Sequence, residues 1–148
     1  MRILVIHGPN LNMLGKRDKA VYGEKTLDEI NTLLKKEAKA LKAEVVTFQS
    51  NHEGALIDFI QEHAGSAQGI IINPAALTHY GFSLFDALVD SKLPVIEVHL
   101  SNIYQREEWR ATSVIAPTAK GQISGLGWKG YTAALQILVS EVKAKPSR

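Results

Sequence analysis

Three groups of polar residues carry side chains suited to moving protons and holding oxygen-rich anions. The first is His7-Gly8-Pro9-Asn10, with Arg17 and Tyr22 a little further on. The second is Asn73-Pro74 with His79. The third is Glu97-Val98-His99-Leu100-Ser101-Asn102, followed by Arg106 and Arg110. Histidine exchanges protons near neutral pH, asparagine both donates and accepts hydrogen bonds, and arginine binds anions. Taken singly, each residue also has a structural explanation. His99 could be a core histidine with satisfied hydrogen bonds, and Asn10 and Asn73 could be turn residues. Arg17 and Tyr22 could lie on an ordinary surface. Arg106 and Arg110 sit at i and i+4 with acids between them, which suits a solvated helix face as well as it suits anion binding.

The elements around these groups decide whether they can meet. Ile3 to Ile6 is a continuous apolar run stopped by Gly-Pro-Asn, the pattern of a strand buried on both faces. Thr26 and Glu29 form a capping-box pair ahead of an apolar stripe through Leu27, Ile30, Leu34 and Leu41. Val45, Val46 and Phe48 mark a second strand. Ser50 and Glu53 repeat the capping-box spacing before Leu56, Ile57, Ile60 and Ala64. Gly69 to Ile72 is a third strand, ended by Asn73-Pro74. A helix is expected from about Phe82 to Val89 and a fourth strand from Pro94 to Leu100. A weaker fifth strand is expected around Val114-Ile115 and Gln122-Ile123, and a last helix from about Tyr131 to Lys143.

This alternation predicts an α/β protein of three layers, a parallel sheet with helices on both faces. At this length a flavodoxin-like fold with a five-stranded sheet in the order 2-1-3-4-5 is expected. In such sheets ligands bind beyond the carboxyl ends of the strands, near the switch in strand order. The three polar groups follow strands one, three and four, which that order makes neighbours. The irregular stretch at about 8–25 is long for a compact domain and suits a lid.

Composition narrows the function classes. The 148 residues suit one domain spanning 1–148, with 45% hydrophobic and 22% charged residues, the balance of a soluble globular protein. The net charge is +2 with no basic block, so nucleic acid is not expected as a partner. There is no cysteine, which removes disulfides, thiol nucleophiles and cysteine-based zinc sites. The apolar opening, Met1 to His7, is too short for a signal-peptide core, and no run is long enough to span a bilayer, so the cytoplasm is the default location and no membrane is expected.

Several sharper motifs fail on context. Gly125-Leu126-Gly127-Trp128-Lys129-Gly130 matches G-x-G-x-x-G literally, but the chain ends before a following βαβ unit and its acid, so these glycines read as a tight strand-to-helix turn. His52-Glu53 lacks a second histidine at metalloprotease spacing. No Gly-x-Ser-x-Gly elbow is present. A flavin- or nucleotide-binding module would want a Ser/Thr/Gly-rich phosphate loop where Pro9-Asn10-Leu11 stands. A subunit kept only for assembly, or a carbon–oxygen lyase acting on an anionic ring, would use the same fold.

The longer motifs together resemble one family. His7-Gly8-Pro9-Asn10-Leu11-Asn12-Met13-Leu14-Gly15, Arg17 and Tyr22-Gly23 are similar to the opening of the type II 3-dehydroquinate dehydratases. Asn73-Pro74-Ala75-Ala76-Leu77-Thr78-His79 resembles the family's second motif. Glu97 to Ile103, with Arg106-Glu107-Glu108 and Arg110, resembles the third, and Gly125 to Tyr131 resembles the turn before its last helix. The resemblance covers nearly the whole chain in order. It implies dehydration of 3-dehydroquinate to 3-dehydroshikimate through an enolate, in the shikimate pathway or quinate breakdown, with no cofactor and no metal. It also implies a homo-oligomer, a dodecamer of four trimers.

The resemblance assigns roles as well. Tyr22 would be the base, with Arg17 beside it. Asn10 would hold a water that stabilises the enolate. His99 would protonate the departing hydroxyl, supported by Glu97. Asn73, Ser101 and the backbone of Leu100 would bind the carboxylate end, and His79 and Arg110 the ring hydroxyls. Asp86 would reach a neighbouring subunit's site. The chemistry is coherent: a nearby guanidinium favours phenolate, fixed donors stabilise an enolate, and a positioned acid speeds loss of hydroxide. The sequence departs from the family at Lys19, where proline is frequent, at Ala75 for glycine, at Leu77 for an aromatic residue and at Phe85 for arginine. Tyr80-Gly81 and Tyr104-Gln105 are also less usual choices.

Overall fold

The computed structural model describes residues 1–145. Its five strands are β1 (Arg2–His7), β2 (Glu44–Gln49), β3 (Gly69–Asn73), β4 (Val95–His99) and β5 (Gly121–Ser124). All four pairings are parallel and the order is β2-β1-β3-β4-β5, as the alternation predicts. The helices are a short α1 (Lys19–Tyr22), then α2 (Leu27–Ala40), α3 (Glu53–His63), α4 (Phe82–Ser91) and α5 (Lys129–Ala144). Among the described residues no helix is long and apolar enough to cross a membrane.

The unbroken apolar runs have a direct cause. Successive side chains of a strand point to opposite faces, and here helices cover both. Ile3, Val5 and Ile71 pack with Leu34, Leu135 and Leu138 of α2 and α5. Leu4, Ile6, Ile70 and Ile72 pack on the other face with Leu56, Ile60, Leu84 and Leu88 of α3 and α4. Burying one such side chain contributes roughly 1.5–3 kcal/mol, so the central strands β1 and β3 form a stiff platform for the loops at their carboxyl ends.

Three local expectations need correction. Thr26 does cap α2, its Oγ1 accepting from the Glu29 amide at 3.2 Å. Ser50 does not cap α3, because the helix begins two residues later than that pattern requires, with His52 at the capping position. Ser50 Oγ accepts from the His52 amide, and the Glu53 carboxylate accepts from the Leu84 amide at the start of α4 instead. Val114-Ile115 is not strand. Ile115 is wholly buried in the α3/α4 core, and the Val114 amide donates to the Thr78 carbonyl at 2.7 Å. The 8–25 segment is not irregular throughout: Leu11–Met13 forms a 3-10 turn, and Asp18 caps α1 through the Ala20 amide. That cap orders the segment at Lys19 without the proline frequent in the family.

The loops after β1 and β3 meet closely. The Gly8 amide donates to the Asn73 carbonyl at 2.8 Å, and a Cβ at Gly8 would lie 2.4 Å from the Pro74 carbonyl oxygen. Ala75, at the position where glycine is common in the resembling family, has φ 52°, a left-handed conformation that disfavours a side chain. Two substitutions should therefore move stability in opposite directions in chemical denaturation. Gly8→Ala should destabilise by about 1–3 kcal/mol through overpacking. Ala75→Gly should be neutral or stabilising by up to about 1 kcal/mol, because relief of the strained φ opposes the added freedom of the unfolded chain.

Candidate active site

At the switch point between β1 and β3, a cleft opens over the carboxyl ends of β1, β3 and β4. Asn10, Arg17 and Tyr22 of the 8–25 segment line one side. Asn73 ends β3 and His79 follows it, while His99 ends β4 and Leu100, Ser101 and Arg110 follow. The three polar groups of the sequence thus meet in one place.

Tyr22 is the most heavily contacted of these side chains. Its hydroxyl oxygen accepts from Arg17 Nη2 at 2.8 Å and from Arg106 Nη2 at 2.9 Å. The Arg17 guanidinium also lies over the ring, 3.8 Å from its centroid. Negative charge arising on that oxygen is therefore met by two cationic donors. Arg106 was open to two readings in the sequence, and the structure decides between them. Its segment is not one helix face but two 3-10 turns, Ile103–Gln105 and Glu108–Ala111, and Arg106 falls between them. Its other nitrogen, Nη1, donates to Ser101 Oγ at 3.1 Å, so Arg106 links Tyr22 to the loop after β4.

His99 and Glu97 are two residues apart on β4 and share a face. His99 Nε2 stands 3.6 Å from Glu97 Oε2, and among the described residues it is the one buried side-chain nitrogen or oxygen without a hydrogen-bond partner. Glu97 itself does not line the cleft; it is wholly buried behind His99. Burial works against its charge, but His99 and the Thr78 and Ser113 hydroxyls outweigh that cost and hold its pKa below the ordinary carboxylate value.

The remaining groups are fixed from outside the cleft. Asn10 has φ 68° and its amide donates to Asn51 Oδ1 at 2.9 Å. Gln49 Nε2 donates both to Asn51 Oδ1 and to the Gly8 carbonyl, clamping the same turn. His79 donates from Nδ1 to the Thr112 carbonyl at 2.7 Å, which leaves Nε2 as an acceptor. Arg110 pairs with Glu107 and stacks on Trp109, 4.0 Å from the ring centroid. Gly125 and Gly127 have φ 91° and 59°, the tight turn expected there, and their amides donate to the His99 and Leu100 carbonyls.

Two residues singled out in the sequence lie outside this cleft. Asp86 is exposed on α4 and does not line this cleft. His7, grouped with the polar residues after β1, is wholly buried; its ring bonds Tyr131 Oη at 2.9 Å and Asn31 Oδ1 at 2.8 Å. Among the described residues no three His, Asp or Glu side chains cluster in a way that could hold a metal ion.

A parallel sheet in this order with a cleft at its switch point, lined by a tyrosine between two arginines and a histidine backed by a carboxylate, defines a small-molecule enzyme of the acid–base type. The comparisons narrow this further. The family model described as "Dehydroquinase class II" matches residues 1–139. The chain is 63% identical over 139 residues to a 3-dehydroquinate dehydratase of Roseiflexus castenholzii, covering 94% of this chain and 88% of that one. It is 56% identical to one from Halothermothrix orenii, with 96% of each chain covered. The crystal structure of a type II dehydroquinase from Butyrivibrio crossotus superposes with a TM-score of 0.91 at 48% identity, over 93% of this chain and 97% of that one. The chain belongs to the class II dehydroquinase family.

The buried His7 gives this region a pH-dependent stability. Desolvation lowers its pKa from an ordinary 6.5 to about 4, although its bond to Asn31 opposes the shift. The neutral ring therefore contributes fully above pH 6.5, and the contribution fades as pH falls toward 4. At about 1.4 kcal/mol per unit the loss reaches about 3 kcal/mol. Denaturation midpoints across that window should fall accordingly, and His7→Gln should flatten this part of the profile.

Proposed function

We propose that this protein dehydrates 3-dehydroquinate to 3-dehydroshikimate in two steps. Tyr22, as phenolate, takes a proton from the carbon next to the ketone, and the electron pair moves into the carbonyl to form an enolate. The enolate then collapses to the conjugated enone as the carbon–oxygen bond to the hydroxyl breaks, and His99 gives its proton to the leaving group, which departs as water. The observation that carries this reading is Tyr22 Oη held by Arg17 and Arg106 in the same cleft as His99, within a chain of this family.

Each remaining group has a place in that scheme. Asn10 holds a water near the developing enolate, and fixed donors of this kind are worth about 2.7–4 kcal/mol in comparable sites. Glu97 supports the positive charge of His99. Asn73, Ser101 and the backbone of Leu100 receive the carboxylate, while His79 and Arg110 take the ring hydroxyls. Arg106 joins Arg17 as a second cation on the base. The segment 8–25 acts as the lid of a single domain over 1–148. The reaction needs neither metal nor cofactor and takes place in the cytoplasm, within aromatic biosynthesis or quinate breakdown.

The active assembly is a dodecamer of four trimers. Exposed Phe82 and Val89 lie on α4 beside Asp86, an apolar surface that supports packing of another subunit there and delivery of Asp86 to its site.

The experiment is an ultraviolet assay of enone formation from 3-dehydroquinate in the presence of chelator. Wild-type protein should turn over. Tyr22→Phe should fold normally and lose roughly 10²–10⁴-fold in kcat. Arg17→Ala and Arg106→Ala should depress kcat more than they raise KM. A flat trace from folded wild-type oligomer, or near-normal turnover by Tyr22→Phe, would overturn the reading.

A further inference from the structure

The Glu97 carboxylate is wholly buried, and its two oxygens are reached from three separate parts of the chain. Oε1 accepts from Thr78 Oγ1, in the turn after β3, and from Ser113 Oγ at 2.7 Å, in the long connection between β4 and β5. Oε2 accepts from Gln122 Nε2 on β5 and faces His99. Glu97 and Gln122 are register partners across β4 and β5, so the parallel ladder itself brings them side by side.

The donors are oriented in their turn. Ser113 Oγ accepts from the Ile115 and Ala116 amides at 3.1 and 2.9 Å, which leaves its proton for Glu97 Oε1 at 2.7 Å or for Thr78 Oγ1 at 2.8 Å, and the carboxylate is the stronger acceptor. Gln122 Oε1 accepts from the Tyr104 hydroxyl at 2.6 Å. A carboxamide has one donor end and one acceptor end; the carboxylate only accepts, so it takes the nitrogen and leaves Oε1 to the Tyr104 hydroxyl. Tyr104 is one of the less usual residues of this chain and is 56% exposed, outside the cleft. Among the described residues His99 is the one ionisable side chain facing Glu97, while Thr78, Ser113 and Gln122 act as neutral donors to it and Tyr104 as a donor to Gln122.

We propose that Thr78, Ser113 and the relay from Tyr104 through Gln122 are positioning residues for the reaction, holding Glu97 as a fixed carboxylate behind His99. This rests on the Glu97–His99 pair serving as proposed above. The hydroxyls saturate Oε1, so that only Oε2 remains to serve the imidazole. Gln122 keeps that oxygen from turning away, and Tyr104 anchors the far end of the Gln122 amide. Neutral donors suit the task, because a cationic one would compete with the imidazolium for the same charge.

The test follows two readouts in the intact protein: the titration of the Glu97 carboxyl by 13C NMR, assigned with Glu97→Gln, and the pH profile of kcat for 3-dehydroquinate. Thr78→Val and Ser113→Ala each remove one donor. Both should raise the Glu97 titration by about one pH unit, since donors to the charged form lower a carboxyl pKa, and should move the acid limb of kcat upward by a similar amount with KM little changed. Thr78→Ser should restore the wild-type profile. Gln122→Glu, isosteric on the edge strand, should move both further. Tyr104→Phe should shift them in the same direction by less, with no change in thermal stability. If the Glu97 titration is the same in Thr78→Val, Gln122→Glu and wild type, or if Thr78→Ser behaves like Thr78→Val, the positioning proposal is wrong. If the titration moves and the kcat profile does not, the cradle stands as structure, the positioning role is overturned, and Glu97 does not support His99 in turnover.

Discussion

An ionised carboxylate with no solvent exposure is tolerated only where its lone pairs are filled. Glu97 is such a group, and the places that fill it determine how the candidate site is assembled. Thr78 brings in the turn that carries His79. Ser113 brings in the connection that carries Arg106 and Arg110. Gln122 brings in the edge strand whose following glycines hold the His99 and Leu100 carbonyls. The amide of Val114 and the carbonyl of Thr112 bind Thr78 and His79 beside it, so the two loops close on one another around the charge. A single buried anion thereby sets the geometry of groups drawn from β3, β4 and β5.

The segment after β1 is tied to this assembly by a second charge arrangement. Tyr22 stands on α1, in the segment after β1, while Arg106 belongs to the loop after β4. Their hydrogen bond joins residues 84 positions apart in the chain. Arg17 contributes a local bond to the same oxygen, and Arg106 continues to Ser101. The proposed base and acid are thus set on opposite walls of one cleft, and the guanidinium that orients the base also spans the gap. Asn10 is placed independently, by Gln49 and Asn51 at the end of β2. Such division makes physical sense: the carboxyl ends of the strands supply rigid anchors for groups that must be held in a fixed geometry.

Much of this was legible in the sequence. The runs Ile3–Ile6 and Gly69–Ile72 read as strands because burial on both faces leaves no polar alternation to confuse the period. The strand order followed from that alternation, and with it the meeting of Asn10, Asn73, His79 and His99. Glu97 and His99 could be placed on one face by counting two. Other features were hidden because nonlocal contacts decided them. Ser50-x-x-Glu53 has the same spacing as Thr26-x-x-Glu29, yet Leu84 claims the Glu53 carboxylate. Val114-Ile115 is β-branched because Ile115 fills the core, not because it extends a ladder. Arg106 shares its spacing with Arg110 in either reading, and only the tertiary path shows it turning to Tyr22. The donors around Glu97 lie 16 to 25 residues away, on polar side chains with no local signature. His7 was misplaced for the converse reason: strand position alone does not say that Tyr131 and Asn31 satisfy it inside.

The central claim is that the Glu97 charge organises both loops of the site. Backbone hydrogen–deuterium exchange in Glu97→Leu tests it directly, because leucine has similar bulk and offers no acceptor. The account predicts that amides in residues 74–81 and 101–119 lose protection together, while those of β1 and β3 keep theirs. Unchanged protection in both loops would show that their order does not depend on this carboxylate.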